Sequence, residues 1–126
     1  MDLRELSFTD APLIKVAPPG PRSKEYLEYQ SCHEGSAVSY PKGMPMALRR
    51  AKGATVEDVD GNVYIDFFGG AAVMAVGHSN PQVVEAIKKQ VTELSHVLDF
   101  PNPSRRLLVE ALVRILPEGL TRVFFG

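Results

Sequence analysis

The sequence predicts a mixed α/β segment, and three observations support this prediction. The chain of 126 residues contains two strand-like runs around an Asp-Gly turn, two helical patterns of apolar residues, and a short apolar run near residue 125. In α/β proteins, amphipathic helices cover the faces of a sheet. Because so few strands are predicted here, we expect the apolar helix faces to need a larger partner surface.

Residues 1–50 are predicted to form an N-terminal arm and a short helix. The prolines at positions 18, 19 and 21 exclude a helix and favour an extended arm. Ser23 is predicted to cap a helix that ends near Cys32. Irregular chain follows over residues 34–48, because glycines and prolines interrupt any regular period.

Residues 51–126 are predicted to begin with a β-hairpin. The runs at 54–59 and 62–67 should pair antiparallel across Asp60-Gly61, since Asp-Gly between alternating apolar residues is a strong hairpin signal. This second region is therefore expected to start on a sheet.

Two amphipathic helices are predicted to follow. Asn80 is a favourable N-cap, Pro81 suits the first helical position, and apolar residues recur at helical spacing as far as Leu98. After two chain-breaking prolines, the apolar positions within 107–115 predict the second helix. Residues 122–125, RVFF, are predicted to form a buried strand.

The stretch GGAAV at 69–73 follows the hairpin directly and lacks large side chains at its start. Glycine weakens regular elements, so something other than core filling should require this space. A tight bend with close backbone packing is one explanation. A phosphate loop is another, although the G-x-G-x-x-G and P-loop patterns are both absent.

Composition excludes several classes of partner. The formal net charge is -1 and no lysine-rich or arginine-rich run occurs, which argues against nucleic acid and against an anionic membrane. No apolar run approaches the roughly 18–20 residues that cross a bilayer, and the first residues lack the apolar core of a secretory signal. We expect a cytoplasmic protein.

No metal site is predicted. With Gly61 at the sixth position of an EF-hand, the first and twelfth ligand positions fall on Val56 and Phe67, which lack carboxylates. Zinc spacings are absent around Cys32 and its neighbour His33. Cys32 is the single cysteine, so no internal disulfide can form.

Three ordered motifs carry a resemblance to a known family: GATVEDVDGNVYIDFFGGAAV, then GHSNPQVVEAI, then RVFF. From about Ser36 to Gly126 the chain resembles the start of class III aminotransferases, such as the ornithine, acetylornithine, 4-aminobutyrate and diaminobutyrate enzymes. These are pyridoxal-phosphate (PLP) enzymes of fold type I. The resemblance implies the N-terminal segment of such a fold, ending in the first strand of the large domain.

The resemblance also implies a position for the small-residue stretch. In such enzymes the segment matching Phe68 to Val73 lies beside the substrate end of the active site, and its candidate site residues here are Gly69, Gly70, Ala71 and Ala72. Tyr40 falls near a substrate-contacting tyrosine of the ornithine enzymes. The residue matching Ala71 is often isoleucine or tyrosine. Alanine there implies a wider pocket and departs from the ornithine and 4-aminobutyrate enzymes.

The implied cofactor is PLP, which requires a Schiff-base lysine, an acid at the pyridine nitrogen and a phosphate cup. In the relatives all three follow the strand that matches RVFF. No lysine of this chain matches the Schiff-base position; its lysines are Lys15, Lys24, Lys42, Lys52, Lys88 and Lys89. We therefore expect no catalytic residue in this chain, and weak or absent PLP binding by the chain alone.

The implied substrates are an amino donor and a 2-oxo acid, and the implied assembly is a homodimer or an association with the remainder of the enzyme. A second hypothesis is a non-catalytic module or split-enzyme subunit that docks onto a chain carrying the catalytic lysine. The apolar helix faces without an evident partner motivate this alternative.

Overall fold

The computed structural model describes residues 6–125, which fall into two compact units that divide after Glu85. The helices are α1 (Pro21–His33), α2 (Tyr40–Gly43), α3 (Gly69–Ala72), α4 (Pro81–Glu93) and α5 (Pro103–Ile115). The strands are β1 (Leu48–Lys52), β2 (Thr55–Asp58) and β3 (Val63–Ile65). The predicted division of the chain at residue 50 stays a prediction.

The first unit is built on a three-stranded antiparallel sheet in the order β1-β2-β3. Strands β2 and β3 form the predicted hairpin, in which Glu57 pairs with Val63, and Gly61 in the turn has a φ of 84°. Strand β1 was not predicted, because its residues LRRAK carry three charges and no apolar alternation.

Helix α1 begins at Pro21, so the prediction that Ser23 caps it is wrong. Proline is tolerated at the first helical position, where its missing N–H would have no intrahelical partner. The cap comes instead from the hairpin turn: the Asp60 carboxylate accepts hydrogen bonds from the backbone N–H of Arg22 at 2.9 Å and of Ser23 at 2.8 Å. A Cβ on Gly20 would lie 2.3 Å from that carboxylate carbon.

A buried polar cluster at the hairpin holds the N-terminal arm. Asn62 is fully buried, and its Oδ1 accepts from the backbone N–H groups of Lys15 at 2.7 Å and Val16 at 3.0 Å. Its Nδ2 donates to Asp58 Oδ2 at 2.9 Å. The buried apolar side chains of the described residues are only Val56, Val59 and Val63, so these hydrogen bonds carry much of the arm's attachment.

The two amphipathic helices are confirmed. Asn80 Oδ1 accepts from the N–H of Gln82 at 3.0 Å at the start of α4, and Asn102 Oδ1 accepts from Arg105 at 3.0 Å at the start of α5. Helix α4 stops at Glu93, five residues before the predicted limit of Leu98. No residue described in either helix is buried, so both apolar faces are open in this chain.

The predicted strand at 122–125 is wrong for the described residues, which form no strand there. A strand needs a neighbour to pair its backbone N–H and C=O groups, and the strands that the structure describes pair only with one another. Phe124 is 92% exposed, and the Arg105 guanidinium lies 4.7 Å from the ring centre of Phe125.

Candidate functional site

An open, mostly apolar groove in the first unit is the candidate site for a small molecule. It has a volume of about 550 Å³ and lies between α2, the sheet and the start of the small-residue stretch. Six of its lining residues are aromatic or methionine, namely Tyr40, Met44, Met46, Tyr64, Phe67 and Phe68. Apolar walls with few polar groups are typical of ligand pockets.

The structure brings together the predicted residues Tyr40 and Gly70, which both line this groove. The ring of Tyr40 packs edge-on against Phe68, with ring centres 5.3 Å apart and planes at 62°. This geometry is favourable for aromatic pairs. This contact between Tyr40 and Phe68 was not predicted, because nothing local in the sequence indicates a contact across 28 residues.

The remaining predicted residues, Gly69, Ala71 and Ala72, make up α3 together with Gly70, and the backbone of α3 is a left-handed turn rather than a right-handed helix. The φ angles from Gly69 to Ala72 are 56°, 62°, 60° and 65°. Left-handed backbone costs a residue with a Cβ about 1–2 kcal/mol, so the two alanines are strained and the two glycines are not. The turn is closed by Ala72 N–H to Phe68 O at 3.1 Å and Met74 N–H to Gly69 O at 2.9 Å.

The glycine pair is explained by this conformation rather than by close packing. A Cβ on Gly69 would meet nothing within 4 Å, and one on Gly70 would first meet the Met74 side chain at 3.4 Å. Close backbone packing occurs at other glycines instead. A Cβ on Gly77 would lie 2.9 Å from the Cα of Gly53, and one on Gly53 would overlap the carbonyl of Leu6.

Asp66 contacts residues on both sides of the small-residue stretch. Its Oδ1 accepts from the backbone N–H groups of Phe68 and Gly69, both at 2.9 Å. Its Oδ2 lies 2.8 Å from His78 Nε2. The hydrogen bond from His78, followed by that from the Gly69 amide, lowers the pKa of Asp66 below its usual value.

This pair was not predicted from the sequence, although an Asp side chain often accepts a hydrogen bond from the backbone N–H two residues further on. His78 is itself fixed by the sheet. Its backbone N–H donates to Gly53 O at 2.9 Å, and its carbonyl accepts from Gly53 N–H at 2.8 Å. The residue that carries the imidazole is therefore hydrogen-bonded to Gly53 through both its backbone N–H and its backbone C=O.

Tyr64 supplies a protonated phenol to the groove wall. Its hydroxyl donates to Asp58 Oδ2 at 2.8 Å. Burial, together with the hydrogen bond to Asp58, raises the pKa of Tyr64 to about 12. Three ionisable side chains of the groove wall, Tyr64, Asp66 and His78, already have hydrogen-bond partners within the protein. The described groove is therefore suited to binding and shaping a ligand more than to proton transfer.

The described residues of this groove do not fit PLP as its holding site. The cofactor needs a lysine amine, an acid facing its pyridine nitrogen and amide donors for its phosphate. No lysine lines the groove as described, and its carboxylate, Asp66, already accepts three hydrogen bonds. Among the residues that the structure describes, no cluster of three or more His, Cys, Asp or Glu could hold a metal.

Comparisons with known proteins agree with one another. The family model described as Aminotransferase class-III matches residues 37–126. The chain is 38% identical to an alanine/serine racemase of Pyrococcus horikoshii over 97% of this chain and 26% of the racemase. It is 38% identical to a diaminobutyrate–2-oxoglutarate aminotransferase of Rhizobium meliloti over 75% of this chain and 21% of that enzyme.

Solved structures give the same fold. The adenosylmethionine-8-amino-7-oxononanoate aminotransferase of Methanocaldococcus jannaschii is 28% identical, with a TM-score of 0.69 over 82% of this chain and 25% of that protein. These likenesses confirm the predicted fold-type-I segment. The chain spans about a quarter of the length of these curated relatives. None of the helices that the structure describes combines the length and apolar character needed to cross a membrane.

Proposed function

Because this chain belongs to the class-III aminotransferase family, whose members use PLP, we propose that it forms the substrate-side wall of an aminotransferase. The complete enzyme transfers an amino group between an amine or amino acid and a 2-oxo acid, as a cytoplasmic homodimer. Catalytic lysine and cofactor contacts come from residues outside this chain. The observation that carries the proposal is the groove in which Tyr40, Phe68 and the left-handed turn meet.

The groove favours an amino compound with an apolar side chain over one with a second charged group at this end. Its wall offers aromatic rings and methionines, and a charge that enters an apolar site without a partner is strongly disfavoured. Asp66 is a poor partner for a second ammonium group, since backbone amides and His78 already occupy both of its oxygens. Ala71 leaves the exposed side of the turn open to a larger substrate.

A docking module is the second candidate, and the open faces of α4 and α5 favour it. Ile87 and Val91 on α4 are 60% and 56% exposed, and Leu107 on α5 is 66% exposed. Large exposed apolar side chains in series typically mark a surface that another chain covers. In this alternative the 126-residue chain binds a separate polypeptide that carries the catalytic lysine.

A segment exchange tests the proposal. Residues 37–126 replace the matching segment of the Rhizobium meliloti enzyme, which keeps its own lysine and cofactor contacts. We expect the hybrid to retain PLP through dialysis, observed by absorbance, and to transaminate an amino donor with 2-oxoglutarate. A hybrid that folds by circular dichroism but never transaminates, for any of a panel of donors, contradicts the proposal.

The control separates the two candidates. The intact 126-residue chain is mixed with the same host enzyme lacking its matching segment. Activity that appears only on mixing supports the docking module, whereas activity in the covalent hybrid alone supports the substrate-side wall.

A further inference from the structure

A side-chain contact joins two residues, Asp66 and His78, that flank the small-residue stretch. Asp66 leaves the sheet directly after β3, and His78 returns to the sheet beside Gly53. The 2.8 Å contact between Asp66 Oδ2 and His78 Nε2 spans these two positions. Both side chains are largely buried, with 12% and 22% of their surfaces exposed, so water competes weakly for either partner.

The left-handed turn between Asp66 and His78 is unfavourable by itself. Ala71 and Ala72 hold left-handed φ angles of 60° and 65° and are both exposed, so packing around their methyl groups does not impose this conformation. Strained backbone persists only where surrounding contacts over-determine it. The contacts available at its start are the bonds from the Phe68 and Gly69 N–H groups to Asp66.

We propose that Asp66 and His78 are a positioning pair that holds the Gly69–Ala72 turn in its left-handed form. His78 fixes the rotamer of the Asp66 carboxylate, whose other oxygen then receives the two amides that start the turn. The pair acts through the backbone. It thereby sets where Phe68 and Gly70 face the groove. The positioning of the turn does not depend on the proposed function. Only its consequence for substrate binding rests on that function.

The alternative is that His78 merely stabilises the whole first unit. The two roles differ in where the backbone loosens when the contact is lost. A positioning role confines the change to the turn, whose own hydrogen bonds are those of Ala72 and Met74. A general role also loosens the bridge between Leu13 and Val63, whose backbone bonds are 2.8 and 2.7 Å long.

Amide hydrogen exchange on the 126-residue chain, read by nuclear magnetic resonance, distinguishes them. His78→Phe keeps a ring but cannot donate to Asp66. His78→Gln places an amide donor at a similar reach. His96→Phe is the matched control, because His96 is an exposed histidine of the second unit.

We expect His78→Phe to speed exchange at the Ala72 and Met74 amides by about tenfold or more, since hydrogen bonds to charged groups are among the stronger ones. His78→Gln should restore most of this protection, and His96→Phe should change nothing at these amides. Exchange at Val63 should stay within about twofold in all three variants.

Four results overturn the proposal: equal acceleration at Val63, no acceleration at all, a Gln variant that behaves like the Phe variant, or an unsubstituted chain without protection at Ala72 and Met74. The readout needs no enzymatic activity. A failure of the proposed function therefore leaves this result interpretable, and the reverse also holds.

Discussion

Replacement of Asn62 by alanine should weaken the attachment of the N-terminal arm to the sheet at Lys15 and Val16, while the backbone bridge between Leu13 and Val63 remains. Three side-chain hydrogen bonds are lost: those from Lys15 N–H at 2.7 Å and Val16 N–H at 3.0 Å, and that to Asp58 at 2.9 Å. At about 1 kcal/mol each, they contribute about 3 kcal/mol to the free energy of unfolding. This is a large part of the roughly 5–15 kcal/mol typical of a domain.

Urea unfolding followed by far-ultraviolet circular dichroism measures this change. With a urea slope of about 1.5 kcal/mol/M, the midpoint should fall by about 2 M, or the first unit should be unfolded without urea. Asn102→Ala is the control, because it removes an N-cap bond in the second unit at a cost of about 1 kcal/mol. An Asn62→Ala variant that loses no more stability than the control refutes the reasoning.

Three further predictions concern the groove and the left-handed turn beside it. Ala71→Gly relieves a left-handed φ of 60° and should raise the free energy of unfolding by about 1 kcal/mol in a urea titration; a loss of stability contradicts the strain. Tyr64→Phe removes the bond to Asp58 and should cost about 1 kcal/mol by the same assay, with an unchanged midpoint as the contrary result. The lowered pKa of Asp66 means that its contribution to stability is full above the unfolded pKa of about 4 and is lost as pH falls through the folded pKa. Asp66→Asn should reduce the fall in melting temperature as the pH is lowered through the acid range. An unchanged fall contradicts this interpretation.

Local patterns predicted the elements whose signals are local. The Asp60-Gly61 turn lies inside its own hairpin, and Asn80 and Asn102 cap helices that begin at the next residue. The β1 strand escaped prediction because its side chains are mostly charged. Periodicity reports a half-buried face and says little about an edge strand with exposed side chains.

Contacts distant in sequence could not be predicted from the chain alone. The cap of α1 comes from Asp60, about 37 residues away in the hairpin turn, so Ser23 appeared to be the natural cap. The contact of Tyr40 with Phe68 and that of Asp66 with His78 likewise depend on the folded sheet. The two glycines indicated a special backbone, but the left-handed turn continues through two alanines that indicate none.

The family resemblance supplied what periodicity could not. Class-III aminotransferase membership and the fold-type-I segment are both confirmed. The substrate-side roles of Tyr40 and residues 69–72 stay predictions, since they concern contacts with a substrate. The structure adds the groove, which Tyr40 and Gly70 both line. It also adds the contact between Asp66 and His78, which flank the small-residue stretch.

Donor preference of the segment-exchange enzyme tests the central claim most directly. We would measure kcat/KM for an amino acid with an apolar side chain and for diaminobutyrate, in the hybrid and in its Rhizobium meliloti parent. If residues 37–126 form the substrate-side wall, the ratio should shift toward the apolar donor by about tenfold or more, because pocket contacts worth 1–3 kcal/mol discriminate by that factor. An active hybrid with the same ratio as its parent contradicts the claim.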